Sequence, residues 1–276
     1  MPSSLVVYKP DLVMLEEVIL SLQKAALTAK QHYTISFSLT IVDNSNEECW
    51  QKQLQIQYAQ YQKCAPDWTL ELLHSADNMG YGAGNNKVIR EVKSDYHLVI
   101  NPDLFIEQDM LLQCIRFMEA NPNIGLLVPA VFGENGDRHY LCKRNPTLCI
   151  MFIRSLPFKW IKTLFQSTLA KFEMRDCNYE QIIENVEFPS GCCMFFRTKP
   201  LQQIQGFDPD YFLYYEDADI GRRMRKIAGV VYLPNARAIH RWARATHRSK
   251  KFFLITIKSG LIYWYKWNKP CYPNDK

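Results

Sequence analysis

Residues 68–103 read WTLELLHSADNMGYGAGNNKVIREVKSDYHLVINPD, and this stretch decides the fold. An apolar run with strand character, Trp68–His74, leads into a glycine-rich turn over residues 77–86 and then into a helical segment. A second apolar strand, Tyr96–Ile100, closes on Asn101-Pro102-Asp103. A strand, a helix and a further strand in this order predict one βαβ unit of a parallel sheet.

The same alternation extends on both sides of this unit. The predicted elements are the strand Leu5–Tyr8, the helix Leu12–Ala29, the strand Ile35–Val42 with a helix after it to about Tyr61, the helix Met110–Glu119 and the strand Ile124–Val131. The first 131 residues therefore predict a doubly wound α/β sheet with right-handed crossovers. After Val131 the pattern changes to a hairpin turn at Gly133–Asp137, a strand Phe188–Arg197, a short helix Pro200–Gln205 and a longer helix Ala218–Ala228.

Composition excludes several classes of protein. With 276 residues, 47% hydrophobic and 22% charged, the chain has the balance of a folded globular protein, and its net charge of +5 is too small to indicate a nucleic-acid partner. Nine cysteines without CxxC spacing argue against zinc ribbons and favour reduced thiols. The N-terminal MPSSLVVYKPD has no leader character, and no run of 18 residues is apolar and uncharged, so a cytoplasmic protein without a membrane span is expected.

Polar clusters follow three of the predicted strands. Ligands bind α/β sheets beyond the carboxyl ends of the strands, so Asp43, the glycine-rich turn and Asp103 are expected at one edge. Each has a simpler interpretation as well. Asp43 could cap the following helix, the glycine-rich turn could let the backbone approach a ligand or be a dinucleotide fingerprint in an unusual place, and Asn101-Pro102-Asp103 could end a strand or hold Mg²⁺ or Mn²⁺.

A fourth cluster lies in residues 206–229, GFDPDYFLYYEDADIGRRMRKIAG. Glu216, Asp217 and Asp219 stand directly behind a run of aromatic residues. An acidic first turn suits the helix dipole, which accounts for Asp219. A carboxylate beside aromatic surface is partly desolvated, which raises its pKa and makes it a better base. His240 is either a structural histidine or a ligand of phosphate or metal, together with His247 and Arg248.

The order of these motifs resembles glycosyltransferase family 2, and within it the bacterial rhamnosyltransferases of O-antigen and related cell-surface polysaccharides. The resemblance rests on Val42-Asp43-Asn44-Ser45, on residues 78–86, on Asn101-Pro102-Asp103, on Ser190-Gly191-Cys192-Cys193-Met194, on Gly206-Phe207-Asp208 with Tyr215-Glu216-Asp217-Ala218-Asp219, and on His240. It implies the A-type glycosyltransferase fold, a mostly parallel central sheet flanked by helices, with a nucleotide-sugar donor and inversion at the anomeric carbon. A C-terminal helical extension is expected beyond the region of resemblance.

The resemblance also implies roles for individual residues. Asp217 would be the catalytic base with Glu216 in support, and Asp103 with His240 would hold a divalent cation, Mg²⁺ or Mn²⁺. The donor would be bound or shaped by Asp43, Asn78, Gly80, Tyr81, Gly82, Asn85, Asn86, Asn101 and His240. The acceptor side would hold Ser190, Gly191 and Tyr215. Two departures stand out: the family's Asp-x-Asp pair is Asn-Pro-Asp here, and Lys9 stands in a first strand end that lacks the common Thr-Tyr-Asn.

The expected organisation is a single glycosyltransferase domain over residues 1–250, with a nucleotide-sugar half (1–131) and an acceptor half (132–250), followed by an extension over 251–276. The donor would be dTDP- or UDP-linked, and the acceptor would be a saccharide, which members of the family often take on a polyprenyl diphosphate. The aromatic and basic segments 147–165 and 251–272 predict contact with the inner face of the cytoplasmic membrane, packing on the core, or a homodimer contact. A non-catalytic sugar-binding homologue and a nucleotidyltransferase are the alternative functions.

Overall fold

The computed structural model describes residues 1–64, 68–156, 158–241 and 250–268. The strands are β1 (Pro2–Val7), β2 (Ser38–Asp43), β3 (Thr69–His74), β4 (Tyr96–Ile100), β5 (Leu104–Ile106), β6 (Ile124–Phe132), β7 (Arg138–His139), β8 (Cys193–Arg197) and β9 (Gly229–His240). The helices are α1 (Leu12–Lys30), α2 (Glu48–Cys64), α3 (Tyr81–Ile89), α4 (Met110–Ala120), α5 (Leu148–Ser155), α6 (Lys159–Leu164), α7 (Gln166–Phe172), α8 (Thr198–Gln203), α9 (Glu216–Met224) and α10 (Lys250–Asn268). His247 and Arg248 lie outside the described residues, as do residues 269–276.

One mixed sheet forms the centre, with the strand order β3-β2-β1-β4-β8-β6-β9-β5 and β7 paired with β6. The first four of these strands are parallel, as the alternation of strands and helices predicts. β6 does not lie beside β4, because β8 enters between them and pairs antiparallel with both. The parallel sheet predicted from the first 131 residues therefore includes the antiparallel strand β8, and the predicted α/β class with a mostly parallel central sheet is confirmed.

Alternate residues of the central strands feed two cores, one on each face of the sheet. Leu98 and Ile100 of β4 join the core that α1 and α4 cover. Val99, between them, points to the opposite face, where it packs in the core that holds Phe207 and Met224. Because both faces are covered, β4 is buried at every position, and its sequence is apolar except for His97, whose Nε2 lies 3.0 Å from Ser4 Oγ.

Three strands have no counterpart among the predicted strands: β5, β9 and the two-residue β7, which follows the predicted hairpin turn. β5 is only three residues long, and β9 contains Pro234 and breaks register with β6 between Pro129 and Ala130. β8 begins at Cys193 rather than Phe188, since Phe188 instead makes an isolated bridge with Lys143. β9 matters for function because it carries His240 to Leu104, next to Asp103.

The segment 147–165 forms helices α5 and α6, and α10 packs against α5 and α9. Trp267 donates a hydrogen bond from Nε1 to Asp219 Oδ1 at 3.0 Å, and Ser259 Oγ donates to the Leu213 carbonyl at 2.8 Å. Both segments nevertheless leave large apolar side chains exposed: Leu148, Phe152, Phe158, Trp160, Leu164, Phe253, Leu254, Leu261 and Tyr265. Among the described helices, none has the length and hydropathy of a membrane span.

Candidate active site

Polar side chains from distant parts of the chain meet at the edge where the parallel strands end. Asp43 and His74 end β2 and β3, and Asp103 follows β4. Because β8 is antiparallel to β4, the residue that precedes it, Cys192, lies at this same edge, and its carbonyl accepts a hydrogen bond from Asn101 N at 2.9 Å. β9 delivers His240 to the same place.

Asp217 is held by backbone amides at the start of α9. Its Oδ2 accepts a hydrogen bond from Gly191 N at 3.1 Å, and its Oδ1 accepts one from Ala218 N at 3.0 Å. Burial raises the pKa of Asp217, and the positive charge of Lys143 and these amides act in the opposite direction. A carboxylate that is desolvated yet oriented by amide donors has the character of a general base.

Glu216 has different surroundings from its neighbour. Its side chain is buried, and Oε2 has no hydrogen-bond partner within the described part of the chain. Burial raises the pKa of Glu216 well above the usual range, and the charge of Asp217 adds to the effect. Such a carboxylate gains from any hydroxyl that donates to it, so Glu216 suits a supporting role beside the base.

The turn ahead of α9 aims the two carboxylates. Tyr214 and Tyr215 both adopt left-handed backbone conformations, with φ of 69° and 67°. Two such residues in succession are strained and persist only where packing holds them. The Tyr215 ring lies against that of Tyr263 on α10, with centroids 5.7 Å apart, and Gly260 leaves the room for it. α10 thereby supports the position of the expected acceptor-side residue Tyr215.

The backbone of Gly191 is hydrogen-bonded both to Tyr81, expected on the donor side, and to Asp217. Its carbonyl accepts a hydrogen bond from Tyr81 Oη at 2.6 Å, while its amide donates to Asp217. Burial raises the pKa of the adjacent Cys192 thiol to about 11. The charges of Asp103 and Asp217 also raise this pKa, and a hydrogen bond with Ser190 lowers it. Cys192 therefore lies within electrostatic reach of the acids on both sides of the cleft.

The glycine-rich turn is shaped by close backbone contacts. Gly80 has a φ of 87°, and a Cβ there would lie 2.0 Å from the Phe212 carbonyl oxygen. Its amide donates a hydrogen bond to Asn78 Oδ1 at 3.0 Å, and its carbonyl accepts one from Asn44 Nδ2 at 3.0 Å. A Cβ at Gly82 would lie 2.8 Å from Phe207 Cβ. These glycines therefore let the turn pack directly on the loop that leads to Glu216.

Asn85 and Asn86 are engaged with the protein itself. Asn85 accepts a hydrogen bond from Ser4 Oγ at 2.6 Å and donates to the Tyr81 carbonyl. Asn86 holds Phe207 through both backbone groups, accepting from its amide at 2.8 Å and donating to its carbonyl at 2.6 Å. Both side chains are buried and hydrogen-bonded within the protein, and their part in donor binding stays a prediction.

Asp43 is likewise fully buried. Its Oδ1 accepts from Ser45 N at 2.8 Å, and its Oδ2 lies 3.0 Å from His74 Nδ1. α2 begins only at Glu48, so Asp43 does not cap that helix, and the capping alternative is wrong. His74 was not among the sequence candidates. It is partly exposed at the end of β3, and its position at a strand end was the signal available in the sequence.

Asp103 and His240 form the pair that could hold a cation. His240 Nε2 lies 3.0 Å from Asp103 Oδ1, and the His139 ring lies 6.2 Å from the His240 ring. No cluster of three or more His, Cys, Asp or Glu suited to a metal occurs in the described ranges. One carboxylate and one imidazole fit a Mg²⁺ or Mn²⁺ ion that takes its other ligands from the phosphates of a substrate. Asn101 lies two residues from Asp103 with its backbone fixed by Cys192.

Asp219 has a structural role. Its carboxylate pairs with Arg223 Nε at 2.7 Å and accepts the indole N–H of Trp267. It thus fixes α10 to α9, in addition to lying in the acidic first turn of α9. Lys143 was not predicted as a site residue. Its positive charge lowers the pKa of Asp217, although the two residues are 74 positions apart in the sequence. No local sequence pattern marks Lys143.

Comparison with known families then decides the identity of the chain. The sequence profile described as glycosyl transferase family 2 matches residues 13–205, more than half of the chain. The chain belongs to glycosyl transferase family 2. It is accordingly a glycosyltransferase, as the order of its motifs predicts, and this membership displaces the nucleotidyltransferase alternative.

Two bacterial relatives of this family 2 chain are rhamnosyltransferases. One, from Mycobacterium tuberculosis, is named N-acetylglucosaminyl-diphospho-decaprenol L-rhamnosyltransferase and is 26% identical over 220 residues, covering 69% of this chain and 68% of the relative. The other, rhamnosyltransferase WbbL from Escherichia coli, is 29% identical over 184 residues, covering 63% of this chain and 64% of the relative.

Solved structures confirm the A-type glycosyltransferase fold. Mannosyltransferase PcManGT from Pyrobaculum calidifontis, solved with GDP-Man and Mn²⁺, has a TM-score of 0.60 at 12% identity over 96% of this chain and 63% of its own. GalNAc-T7, solved with UDP, GalNAc and Mn²⁺, has a TM-score of 0.65 at 12% identity over 96% of this chain and 47% of its own. At such identities the likeness concerns the fold alone, and the chain spans less than two thirds of both structures.

Proposed function

We propose that this family 2 enzyme transfers an L-rhamnosyl residue from dTDP-rhamnose to a saccharide carried on a polyprenyl diphosphate, in the synthesis of a cell-surface polysaccharide. Two relatives are named for rhamnosyl transfer, one of them onto a sugar linked to decaprenyl diphosphate. The observation that carries the proposal is Asp217, a desolvated carboxylate oriented by two backbone amides, one of them that of Gly191, whose neighbour Cys192 accepts a hydrogen bond from Asn101 N.

The reaction is a single displacement with inversion. The acceptor hydroxyl oxygen forms a bond to the anomeric carbon while the bond from that carbon to the diphosphate oxygen breaks on the opposite face. Asp217 takes the hydroxyl proton as the oxygen attacks. Glu216 accepts a second hydrogen bond from the acceptor and holds it in line, which lowers the entropic part of the barrier. The nucleoside diphosphate leaves with the electron pair.

The donor side holds the nucleotide. His74, supported by Asp43, faces the nucleoside from the end of β3, and the Gly80 turn brings backbone close to the sugar. Asp103 and His240 would hold a divalent cation, and Asn101 is two residues from Asp103 in the same turn. When bound, the cation supplies positive charge that stabilises the leaving diphosphate.

The role of Asp217 and the identity of the donor are tested together, by comparing the turnover and the donor-dependent melting temperature of the wild type and Asp217→Asn. General-base catalysis contributes about 10²–10⁴-fold, so Asp217→Asn should lower turnover by about that factor. In a panel of nucleotide sugars, dTDP-rhamnose should raise the melting temperature of both proteins most, because the substitution spares donor binding. Release of dTDP in the presence of acceptor measures turnover, and Asp210→Asn, in the same loop, is the control.

Near-wild-type turnover of Asp217→Asn would remove this residue from the mechanism. If a donor raises the melting temperature of the wild type but no sugar is transferred to any acceptor, the result would instead favour a non-catalytic sugar-binding homologue.

The cation is tested by its removal. Excess EDTA should abolish both turnover and the donor-dependent rise in melting temperature, and Mn²⁺ or Mg²⁺ should restore them. Asp103→Asn should raise the metal concentration needed for half-maximal rate by about 10-fold or more, since a ligating carboxylate is lost. Full activity in EDTA would show that Asp103 and His240 act without an ion.

We also place the enzyme at the inner face of the cytoplasmic membrane. Helices α5 and α6 border an apolar groove of about 310 Å³, lined by Cys149, Phe152, Ile153, Leu156, Trp160, Ile161, Leu164 and Phe165. Exposed tryptophan and phenylalanine beside basic residues are typical of surfaces that enter the headgroup region of a membrane. A polyprenyl-linked acceptor is held at such a surface.

A further inference from the structure

Two cations on the acceptor side are held by aromatic rings. Lys143 Nζ lies 4.5 Å from the centroid of the Phe188 ring, and the Arg154 guanidinium carbon lies 5.2 Å from the centroid of the Phe172 ring. The two rings pack edge to face with centroids 6.3 Å apart. Lys143, Phe188, Phe172 and Arg154 thus form one continuous cluster, called the cation cluster below.

Neither cation of the cluster has an ion-pair partner in the ranges that the structure describes. Neighbouring cations do: Arg144 makes a bidentate pair with Asp176 at 2.8 and 2.9 Å, and Arg175 pairs with Glu173 at 2.7 Å. A ring face attracts a cation without accepting its N–H groups in strong hydrogen bonds. The N–H donors of Lys143 and Arg154 therefore stay available to an anion.

The cluster adjoins both the base and the apolar groove. Lys143 acts on the pKa of Asp217, and its backbone pairs with Phe188, three residues before Gly191, whose amide donates to Asp217. Arg154 acts on the pKa of Tyr215 from α5, the helix that supplies Phe152 and Ile153 to the groove. An anion at the cluster would thus have the base on one side and an apolar surface on the other.

The partly buried charge of Lys143 lowers the stability of the folded protein unless an anion compensates it. Burial lowers its pKa, and the charge of Arg154 lowers it further, while Asp217 acts in the opposite direction. A phosphoryl group would relieve the repulsion between the two cations and take charge-assisted hydrogen bonds from both, which are the strong kind.

We infer that Lys143 and Arg154 form an anion-binding subsite that takes the phosphoryl oxygens of a diphosphate-linked acceptor, next to the base. The inference rests on the proposed transfer to a lipid-linked saccharide, and it gives that acceptor a second point of recognition besides its sugar. The lipid chain then continues from the phosphate along the groove between α5 and α6.

The test compares two acceptors that carry the same sugar: N-acetylglucosamine on a decyl diphosphate and its neutral decyl glycoside. Hydrogen bonds to charged groups contribute about 1.5–3 kcal/mol, or about 10- to 150-fold. Lys143→Gln and Arg154→Gln should therefore each lower the ratio of kcat/KM for the diphosphate to kcat/KM for the glycoside by at least about 10-fold. The ratio cancels any effect that Lys143 exerts through Asp217.

Matched variants control for charge and folding. Lys171→Gln removes an exposed cation next to Phe172 and should leave the ratio unchanged. Lys143→Arg keeps the positive charge, so this variant should keep most of the wild-type ratio. A second measurement does not need turnover: the dissociation constant of decyl diphosphate, with saturating dTDP in the donor pocket, should rise about 10-fold or more in both Gln variants. The KM for the donor should not change.

The outcomes separate the two hypotheses. Wild-type transfer to neither acceptor contradicts the proposed function. Transfer with an unchanged ratio and unchanged decyl diphosphate binding in the Gln variants overturns the subsite alone. Equal losses for both acceptors would overturn it too and make Lys143 only the counter-ion of Asp217. Loss of binding to anionic vesicles with an unchanged ratio would assign the cations to membrane lipids instead.

Discussion

Glu216 and Asp217 are neighbours in sequence, but the fold gives their carboxylates different partners. Two amides orient Asp217, whereas an oxygen of Glu216 is buried without a hydrogen bond in the described structure. A carboxyl group in such a place lowers the stability of the folded protein as soon as it must ionise, and an active-site residue can have this cost because it is kept for function rather than for stability. The cost should be measurable.

Glu216→Gln should stabilise the protein at neutral pH. Because burial raises the pKa of Glu216 well above 4.5, the folded state holds a proton that the unfolded chain releases, and stability falls as the pH rises through that window. Glutamine removes this term, about 1.4 kcal/mol for each unit of pKa shift. Melting temperatures at pH 5 and pH 8 should show a gain that is larger at pH 8.

The control for this prediction is Glu184→Gln, an exposed carboxylate, which should change the melting temperature little at either pH. A lower melting temperature of Glu216→Gln at pH 8, or a gain of equal size at both pH values, would contradict the account of Glu216 as a buried acid whose pKa is raised on folding.

At the scale of an element, the Gly80 turn determines how the donor and acceptor sides meet. Tyr81 N donates to the Phe212 carbonyl at 3.0 Å, so the start of α3 is fastened to the loop before α9. The backbone of Gly80 is left-handed, and its Cα faces that same carbonyl at a distance that excludes a side chain. Position 80 therefore requires glycine for two reasons, its positive φ and the close approach of the Phe212 carbonyl.

Gly80→Ala should lower both stability and turnover. Strained backbone alone costs about 1–3 kcal/mol, and displacement of Phe212 adds to it and moves Glu216. Gly136 is the matched control: its φ of 77° imposes the same kind of strain, but a Cβ there meets nothing within 4 Å. Urea denaturation should show a loss in both variants, larger for Gly80→Ala, and kcat should fall only for Gly80→Ala. Equal kcat in the two would mean that the turn does not position the site.

On the scale of the whole molecule, exposed apolar side chains gather on α5, α6 and α10 while the two main cores are closed on both faces of the sheet. Trp160 and Leu164 are 67% and 69% exposed. One face of α10 is buried through Tyr263 and Trp267, which confirms that this helix packs on the domain, and the opposite face carries Leu254 and Leu261 outward. The division of the chain into residues 1–250 and an extension stays a prediction.

Flotation with vesicles that contain phosphatidylglycerol tests the membrane surface. Wild-type protein should float, and Trp160→Glu with Leu164→Glu should remain at the bottom, since apolar insertion is lost and like charge is added. Ile56→Glu is the control, because Ile56 is 64% exposed on α2, outside the apolar groove. Wild-type protein that stays at the bottom as a dimer would show that a second copy covers this surface instead.

Much of the fold could be predicted because its signals are local. β4 matches its predicted bounds, and α4 matches within one residue, since a strand buried on both faces is an apolar run and a helix on a sheet repeats its apolar stripe. β9 gave no such signal, because Pro234 and a register shift interrupt it. The place of β8 between β4 and β6 also had no local mark, since pairing with both strands is a property of the assembled sheet.

The candidate site divides in the same way. The sequence by itself determined the βαβ order, the acids that end the strands, and the neighbouring carboxylates Glu216 and Asp217, because these depend on residues close together in the chain. Only the tertiary structure brought His240 to Asp103, separated by 137 positions, and Gly191 to Asp217, separated by 26. It also brought the charge of Lys143 to bear on the pKa of Asp217. Such contacts arise from strand pairing and core packing between distant segments, which no local pattern of residue types encodes.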